Sequence, residues 1–294
     1  MLVGKVTIVG MGLLGGSLGL ALRERRLAAR VVGYVRRPEA AAECERRGAA
    51  DRATHDLAGA VKDADVVVLG TPIGQMRPLM EEMAPALTPG TVVTDVGSVK
   101  QTVVHDLEPM AASTGAWFIG SHPMAGAEKM GVAHARANLF EGALCVITPT
   151  PRSDPAALAR AEALWKGVGM RVLRLDAGLH DQLVARSSHL PHLVASVLAD
   201  AILDPEAPKE QALLCANGFR DTTRVASSSP EMWRDIALAN RAPLGEALDA
   251  LSAQLDAMRQ ALAASDAAAL SALFHRAKER RDRWIETQIS PSPE

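Results

Sequence analysis

The chain has 294 residues, 48% of them hydrophobic and only 3% aromatic, with a formal net charge of −2. That length suits about two ordinary domains with ample core material, and the near-neutral charge excludes a basic surface for nucleic acid or anionic membrane. Cys44, Cys145 and Cys215 are far apart and lack CxxC spacing, which argues against a disulfide framework or zinc site and for a reducing, cytoplasmic location. The N-terminus lacks the pattern of a signal peptide, and no run approaches the ~18 apolar residues of a membrane span. A soluble globular protein is expected.

In chain order, "KVTIVG" (5–10), "VVGYV" (31–35), "DVVVLGTP" (65–72), "TVVTDVG" (91–97), "AWFIGS" (116–121) and "GALCVITPT" (142–150) are predicted strands. Helices are predicted over 15–26, 38–47 and 73–86. Near-continuous apolar strands alternating with helices imply a parallel sheet covered on both faces. "PTPRSDP" (149–155) reads as a loop that opens a helix with Asp154 as N-cap, followed by a strand at "MRVLRLD" (170–176). Beyond Asp176 the pattern is helical, with breaks near Pro205–Pro208, Gly218 and Ser227–Pro230. Over 243–287, leucine and alanine stripes alternate with charges as in amphipathic helices. The expected division is an α/β domain over 1–175 and an all-α domain over 176–294. The second is either a self-contained bundle or a surface on which two chains intertwine.

"VTIVGMGLLGGSLGLAL" places Gly10, Gly12 and Gly15 in G-x-G-x-x-G spacing between a strand and a helix. Gly10 permits the tight turn, Gly12 lets a pyrophosphate approach the backbone, and Gly15 lets helix and strand pack closely. With Leu13 and Leu14, this turn presents helix N–H groups to phosphate and marks the first domain as a Rossmann-type NAD(P) site. At the end of the second strand, where an NAD site places an acid, the sequence has Val35, then Arg36 and Arg37. Two guanidiniums suit a 2′-phosphate, so NADP is expected to be preferred, with NAD possible and surface arginines as the plain alternative. Thr71 and Pro72, ending the third strand, are expected to face the cofactor.

"GSHPMAG" (120–126) places His122 near the carboxyl edge of the sheet, where ligands of open α/β folds bind. A histidine beside proline is more often structural. However, "DVGSVK" brings Ser98 and Lys100 to the same edge, "SHLPH" adds His189 and His192, and "GFRDTTRV" adds Arg220 and Arg224. Paired arginines near a nicotinamide site suit an anionic, dicarboxylate substrate.

The ordered set "VGMGLLGGSLG", "DVGSVK", "SHPMAGAEKMGVAHARANLFEGA", "SSHLPH" and "GFRDTTRVASSSPEMWRDI" resembles the prephenate/arogenate dehydrogenases of tyrosine biosynthesis, over nearly the whole chain. The resemblance implies a helical C-terminal dimerisation domain and oxidative decarboxylation, either of prephenate to 4-hydroxyphenylpyruvate or of arogenate to tyrosine, with no metal. It implies that His122 is the catalytic base on the ring hydroxyl and that Ser98 helps hold that hydroxyl. Arg224 would clamp the ring carboxylate and His192 would meet the substrate side chain. Arg220 and Glu128 would line the pocket mouth, and His189 would serve helix packing. Trp233 is read as a pocket residue, of this subunit or its neighbour, or equally as a core tryptophan. His192 favours prephenate over arogenate.

The length leaves no room for the chorismate mutase or regulatory domains fused to some relatives, so a monofunctional homodimer is expected. Two other readings are an NADP-dependent β-hydroxyacid dehydrogenase or imine reductase, in which Lys100 would serve, and a non-catalytic dinucleotide-sensing dimer. Nothing downstream supports Lys100 in that role, and the sensor would not need His122, Ser98 and Arg224 together.

Overall fold

A computed structural model describes residues 2–126 and 129–289. Two compact units divide the chain, Met1–Pro243 and Leu244–Glu294.

The first unit opens with β1 (Val3–Val9), α1 (Leu13–Glu24), β2 (Ala28–Tyr34), α2 (Pro38–Arg46), β3 (Arg52–Thr54) and α3 (Leu57–Val61). It continues with β4 (Val66–Leu69), α4 (Ile73–Met83), β5 (Val92–Asp95), α5 (Gln101–Ala112), β6 (Trp117–Pro123), β7 (Leu144–Thr148), α6 (Pro155–Gly167) and β8 (Arg171–Arg174). The strands form one eight-stranded sheet in the order β3-β2-β1-β4-β5-β6-β7-β8. Val6 and Ile8 of β1 pack into an apolar layer with Leu18 and Leu22 of α1 and Leu164 and Trp165 of α6. Val9 packs into the opposite layer with Met80 of α4 and Leu107 of α5. Burial on both faces is why these strands read as continuous apolar runs.

The parallel arrangement holds from β1 to β6, but β7 runs antiparallel to β6, with β8 parallel to β7. Parallel neighbours need a crossover, usually a helix. The described part of the β6–β7 connection holds only the short 3₁₀ turn Val132–His134, so the chain returns beside β6 in the opposite sense. Asp154 caps α6 as expected, its carboxylate accepting from the N–H groups of Ala156 and Ala157. Helix α5 was not anticipated, because Pro109 interrupts its pattern. The proline falls in the final turn, and Val103, Val104, Leu107 and Ala111 still give the helix a buried face. The three-residue β3 and five-residue α3 are too short to carry a periodic signal.

After β8 the unit is helical: α7 (Ala177–Val184), a π-helical turn over Ala185–His189, α8 (Leu190–Ile202), α9 (Lys209–Leu213), α10 (Asn217–Thr223) and α11 (Pro230–Ala239). Helix α12 (Arg241–Ala263) leads into the second unit, where α13 (Ala267–Ile289) follows a tight turn. Ser265 takes a positive φ there, and the Asp266 carboxylate accepts from the N–H of Ala269. No helix among the described residues is long and apolar enough to cross a membrane.

Candidate active site

Leaving β1 toward β2 in one direction and reaching β4 in the other, the chain creates a crevice at the carboxyl ends of β1 and β4. A cavity of about 990 Å³ opens there, wholly within the first unit. Gly10 turns the chain out of β1 with φ +102°, and a Cβ on it would lie 2.7 Å from the Thr71 methyl. A Cβ on Gly15 would come within 2.0 Å of the Gly10 carbonyl oxygen, so helix and strand touch there. Space beyond Gly12 is open to 4 Å. The start of α1 has no side-chain cap among the described residues, leaving its first-turn N–H groups to a ligand. Gly12, Leu13 and Leu14 line the cavity, as do Arg36, Arg37, Thr71 and Pro72; Gly15 lies beneath. The buried Thr71 hydroxyl has no hydrogen-bond partner among the described residues. These features fit a dinucleotide, with its pyrophosphate at the α1 N-terminus.

The reactive end of the cavity is lined by Ser98, His122, Ser188, His189, Met232, Trp233 and Ile236. His122 lies within β6 rather than in a following loop, because β7 pairs with the strand through Pro123 and places Val146 opposite the histidine. Only 8% exposed, its ring approaches His180, with Nδ1 2.9 Å from His180 Nε2. His180 Nδ1 in turn is 2.7 Å from Asp181 Oδ1. Burial first, then His180, Lys100 and His189, push the His122 pKa well below the ordinary histidine value. The group is therefore a neutral imidazole at neutral pH.

The strand ends around His122 are pinned by a buried ion pair. Lys100 Nζ donates to Asp95 Oδ2 and to the Ser121 carbonyl, while Asp95 Oδ1 accepts from the Ser121 N–H at 2.9 Å. Lys100 is fully buried in this pair rather than presented to the cavity. Breaking such a pair typically costs about 3–5 kcal/mol, since the remaining charge stays buried.

The π-helical turn carries His189 into the wall of the cavity. His189 is fully buried, with Nδ1 3.0 Å from Asn240 Nδ2 and Nε2 without a partner among the described residues. Burial lowers its pKa to about 4. Thus His189 lines the cavity besides serving helix packing. His192 stacks on Trp233 at 3.4 Å between ring centroids, with planes 8° apart. Trp233 lines this chain's own cavity, and its buried Nε1–H has no partner among the described residues. Arg220 and Arg224 are exposed, on α10 and the 3₁₀ turn after it, outside the cavity wall. Glu128 lies outside the described residues.

Residues 18–174 match the nucleotide-binding domain of prephenate dehydrogenase, and residues 176–276 match its dimerization domain. The chain belongs to the prephenate dehydrogenase family. It is a nicotinamide-dinucleotide-dependent dehydrogenase. A prephenate dehydrogenase of Bacillus subtilis is 35% identical over 280 residues, covering 94% of this chain and 75% of the relative. A cyclohexadienyl dehydrogenase of Zymomonas mobilis is 32% identical, covering 94% of each chain. Among solved structures, the prephenate dehydrogenase of Aquifex aeolicus in complex with hydroxyphenyl propionate and NAD+ superimposes with a TM-score of 0.89. It is 32% identical, and the match covers 95% of this chain and 98% of that one. Family membership leaves no place for the β-hydroxyacid dehydrogenase, imine reductase and sensor readings.

His180 and Asp181 are the members of the site that sequence reasoning missed. "LHDQ" opens the helical half of the chain, 58 residues beyond His122, and nothing local reveals that the two imidazoles meet. The adjacent His–Asp pair was the one available signal.

Proposed function

We propose that this chain oxidatively decarboxylates prephenate to 4-hydroxyphenylpyruvate with NADP+ preferred over NAD+. The observation that carries this reading is the buried His122 imidazole in the same cavity as the glycine turn. Arg36 and Arg37 on that cavity's wall, with no carboxylate between Tyr34 and Pro38, support a 2′-phosphate. A bound oxidised nicotinamide supplies the two-electron acceptor for the hydride leaving C4.

His122 Nε2 takes the proton of the C4 hydroxyl as C4 is oxidised to a carbonyl. The bond from C1 to the ring carboxylate then breaks. Its electron pair passes through the ring to the C4 oxygen, carbon dioxide leaves, and His122 returns the proton to the resulting phenolate. A positioned base of this kind contributes roughly 10²–10⁴-fold. Ser98 holds the same hydroxyl, His192 meets the keto-acid side chain beside Trp233, and Arg224, on the 3₁₀ turn outside this chain's cavity wall, is proposed from the family resemblance to reach the ring carboxylate. Arg220 lies on the approach. Because negative charge leaves the carboxylate as carbon dioxide forms, the clamp must not hold the substrate much more tightly than the transition state, or it suppresses that loss.

The functional boundary falls near residue 175, where the nucleotide-binding segment gives way to helices that face the substrate. The second unit supports a homodimer: Leu255, Leu262, Phe274 and Trp284 are each more than half exposed, in a segment that largely matches a dimerization domain. Three free cysteines fit a reducing cytoplasm. Mixing the protein with prephenate and either dinucleotide tests the reading through the absorbance of reduced nicotinamide. Turnover with prephenate, faster with NADP+, is expected. Turnover with arogenate alone would overturn the substrate, and no turnover with either would overturn the activity.

A further inference from the structure

We infer that His180 and Asp181 are positioning residues for His122, forming a buried relay that fixes the base in its Nδ1–H tautomer with the Nε2 lone pair left for the substrate. The inference rests on the role proposed for His122, but its geometry does not depend on which substrate is used.

The relay is anchored at Asp181. Its Oδ1 accepts from the backbone N–H of Lys100 at 2.7 Å and its Oδ2 from that of Gln101 at 2.9 Å. The carboxylate thus closes the N-terminus of α5, where the helix dipole favours an anion. A carboxylate offers only lone pairs. The nitrogen facing it, His180 Nδ1 at 2.7 Å, must therefore be the donor. The proposal assigns His180 the neutral form, in which the other nitrogen accepts, so that His180 Nε2 takes the hydrogen of His122 Nδ1 across 2.9 Å. His122 Nε2 remains unprotonated. The two rings meet edge to face at 76°, so neither can rotate without losing the contact.

All three groups are nearly closed to water: His122 is 8% exposed, His180 1% and Asp181 1%. The charges of Lys100 and His189 also oppose a charge on the His122 ring, while Asp95 pairs with Lys100. The Asp181 carbonyl separately accepts from Asn240 Nδ2 at 2.9 Å, and the same amide faces His189. One dipeptide in the middle of α7 thereby orients two histidines of the cavity. Deprived of its acceptor, His122 could turn or adopt the other tautomer, which would put a hydrogen where the lone pair is needed. Losing the correct tautomer in the serine-protease triad costs about 10⁴-fold in kcat.

The test is a tautomer measurement on the whole enzyme without substrate. Long-range ¹H–¹⁵N correlation of histidine-labelled protein identifies His122 by the signal lost in His122→Asn. The Nδ1–H form is expected; the Nε2–H form would overturn the relay whatever the activity proves to be. In parallel, His180→Leu should lower kcat by roughly 10²-fold with KM little changed. His180→Gln, whose amide oxygen can again accept from His122, should recover most of the loss. An unchanged kcat in His180→Leu, or equal losses in both variants, would contradict a positioning role. If His180→Leu does not fold, the wild-type tautomer decides.

Discussion

Four of the eight histidines, His122, His180, His189 and His192, are buried, and two of them, His122 and His189, line the cavity. His122, His189 and His192 are all shifted down, with desolvation the leading cause in each. The sign follows for activity. A base whose pKa is depressed stays neutral below its ordinary value near 6.5, and function is lost only as pH falls through the lowered value. The profile of kcat/KM for the free enzyme should therefore be level from pH 8 down past 6.5 and bend below it. An acidic limb already descending above 6.5 would show that His122 is not held neutral by its surroundings. At this scale the glycine turn and the His122 motif were legible because their chemistry is carried by neighbours in sequence. His180 was not, since its partner arrives from another strand.

At the scale of elements, the π-helical turn Ala185–His189 sets the register of everything after it. An extra residue in a helix rotates the following turns by about 100° relative to an uninterrupted α-helix. Here it lets His180 face β6 while His189 lines the cavity and His192 stacks on Trp233. Ser187 lies at the exposed centre of the turn, and its hydroxyl donates to the Leu183 carbonyl. Deleting Ser187 should restore regular α-helix and swing His189 and His192 away. The expected result is a tenfold or greater rise in KM for prephenate with dinucleotide affinity unchanged, measured by steady-state kinetics and by fluorescence titration. Unaltered KM would mean that the turn places nothing of consequence. No sequence pattern distinguishes such a turn from helix, so it could not be anticipated. The reversal of β7 was hidden for a related reason: direction depends on what the connection contains. By contrast, the alternating strands and helices of the first half were legible, because burial on both faces leaves a strong apolar signal.

For the whole molecule, family and compactness divide the chain differently. The family segments meet at residues 174–176, whereas the compact units meet at Pro243 and Leu244. Helices α7 to α11 fall with the sheet, consistent with His189 and Trp233 completing the cavity that starts at Gly10. The leucine and alanine stripes of the last two helices were legible as amphipathic, but a stripe does not reveal what covers it. In one chain those helices leave Leu255, Leu262, Phe274 and Trp284 exposed. Light scattering should therefore report twice the 31.1 kDa chain mass. A monomer that is fully active at assay concentration would contradict the homodimer.

The central claim is that His122 acts as the proton acceptor. Its most direct test is steady-state kinetics of His122→Asn with prephenate and NADP+, alongside a dinucleotide titration of the same variant. The account expects kcat to fall by about 10²–10⁴-fold, with KM and cofactor affinity nearly unchanged. A variant that turns over at the wild-type rate would contradict it.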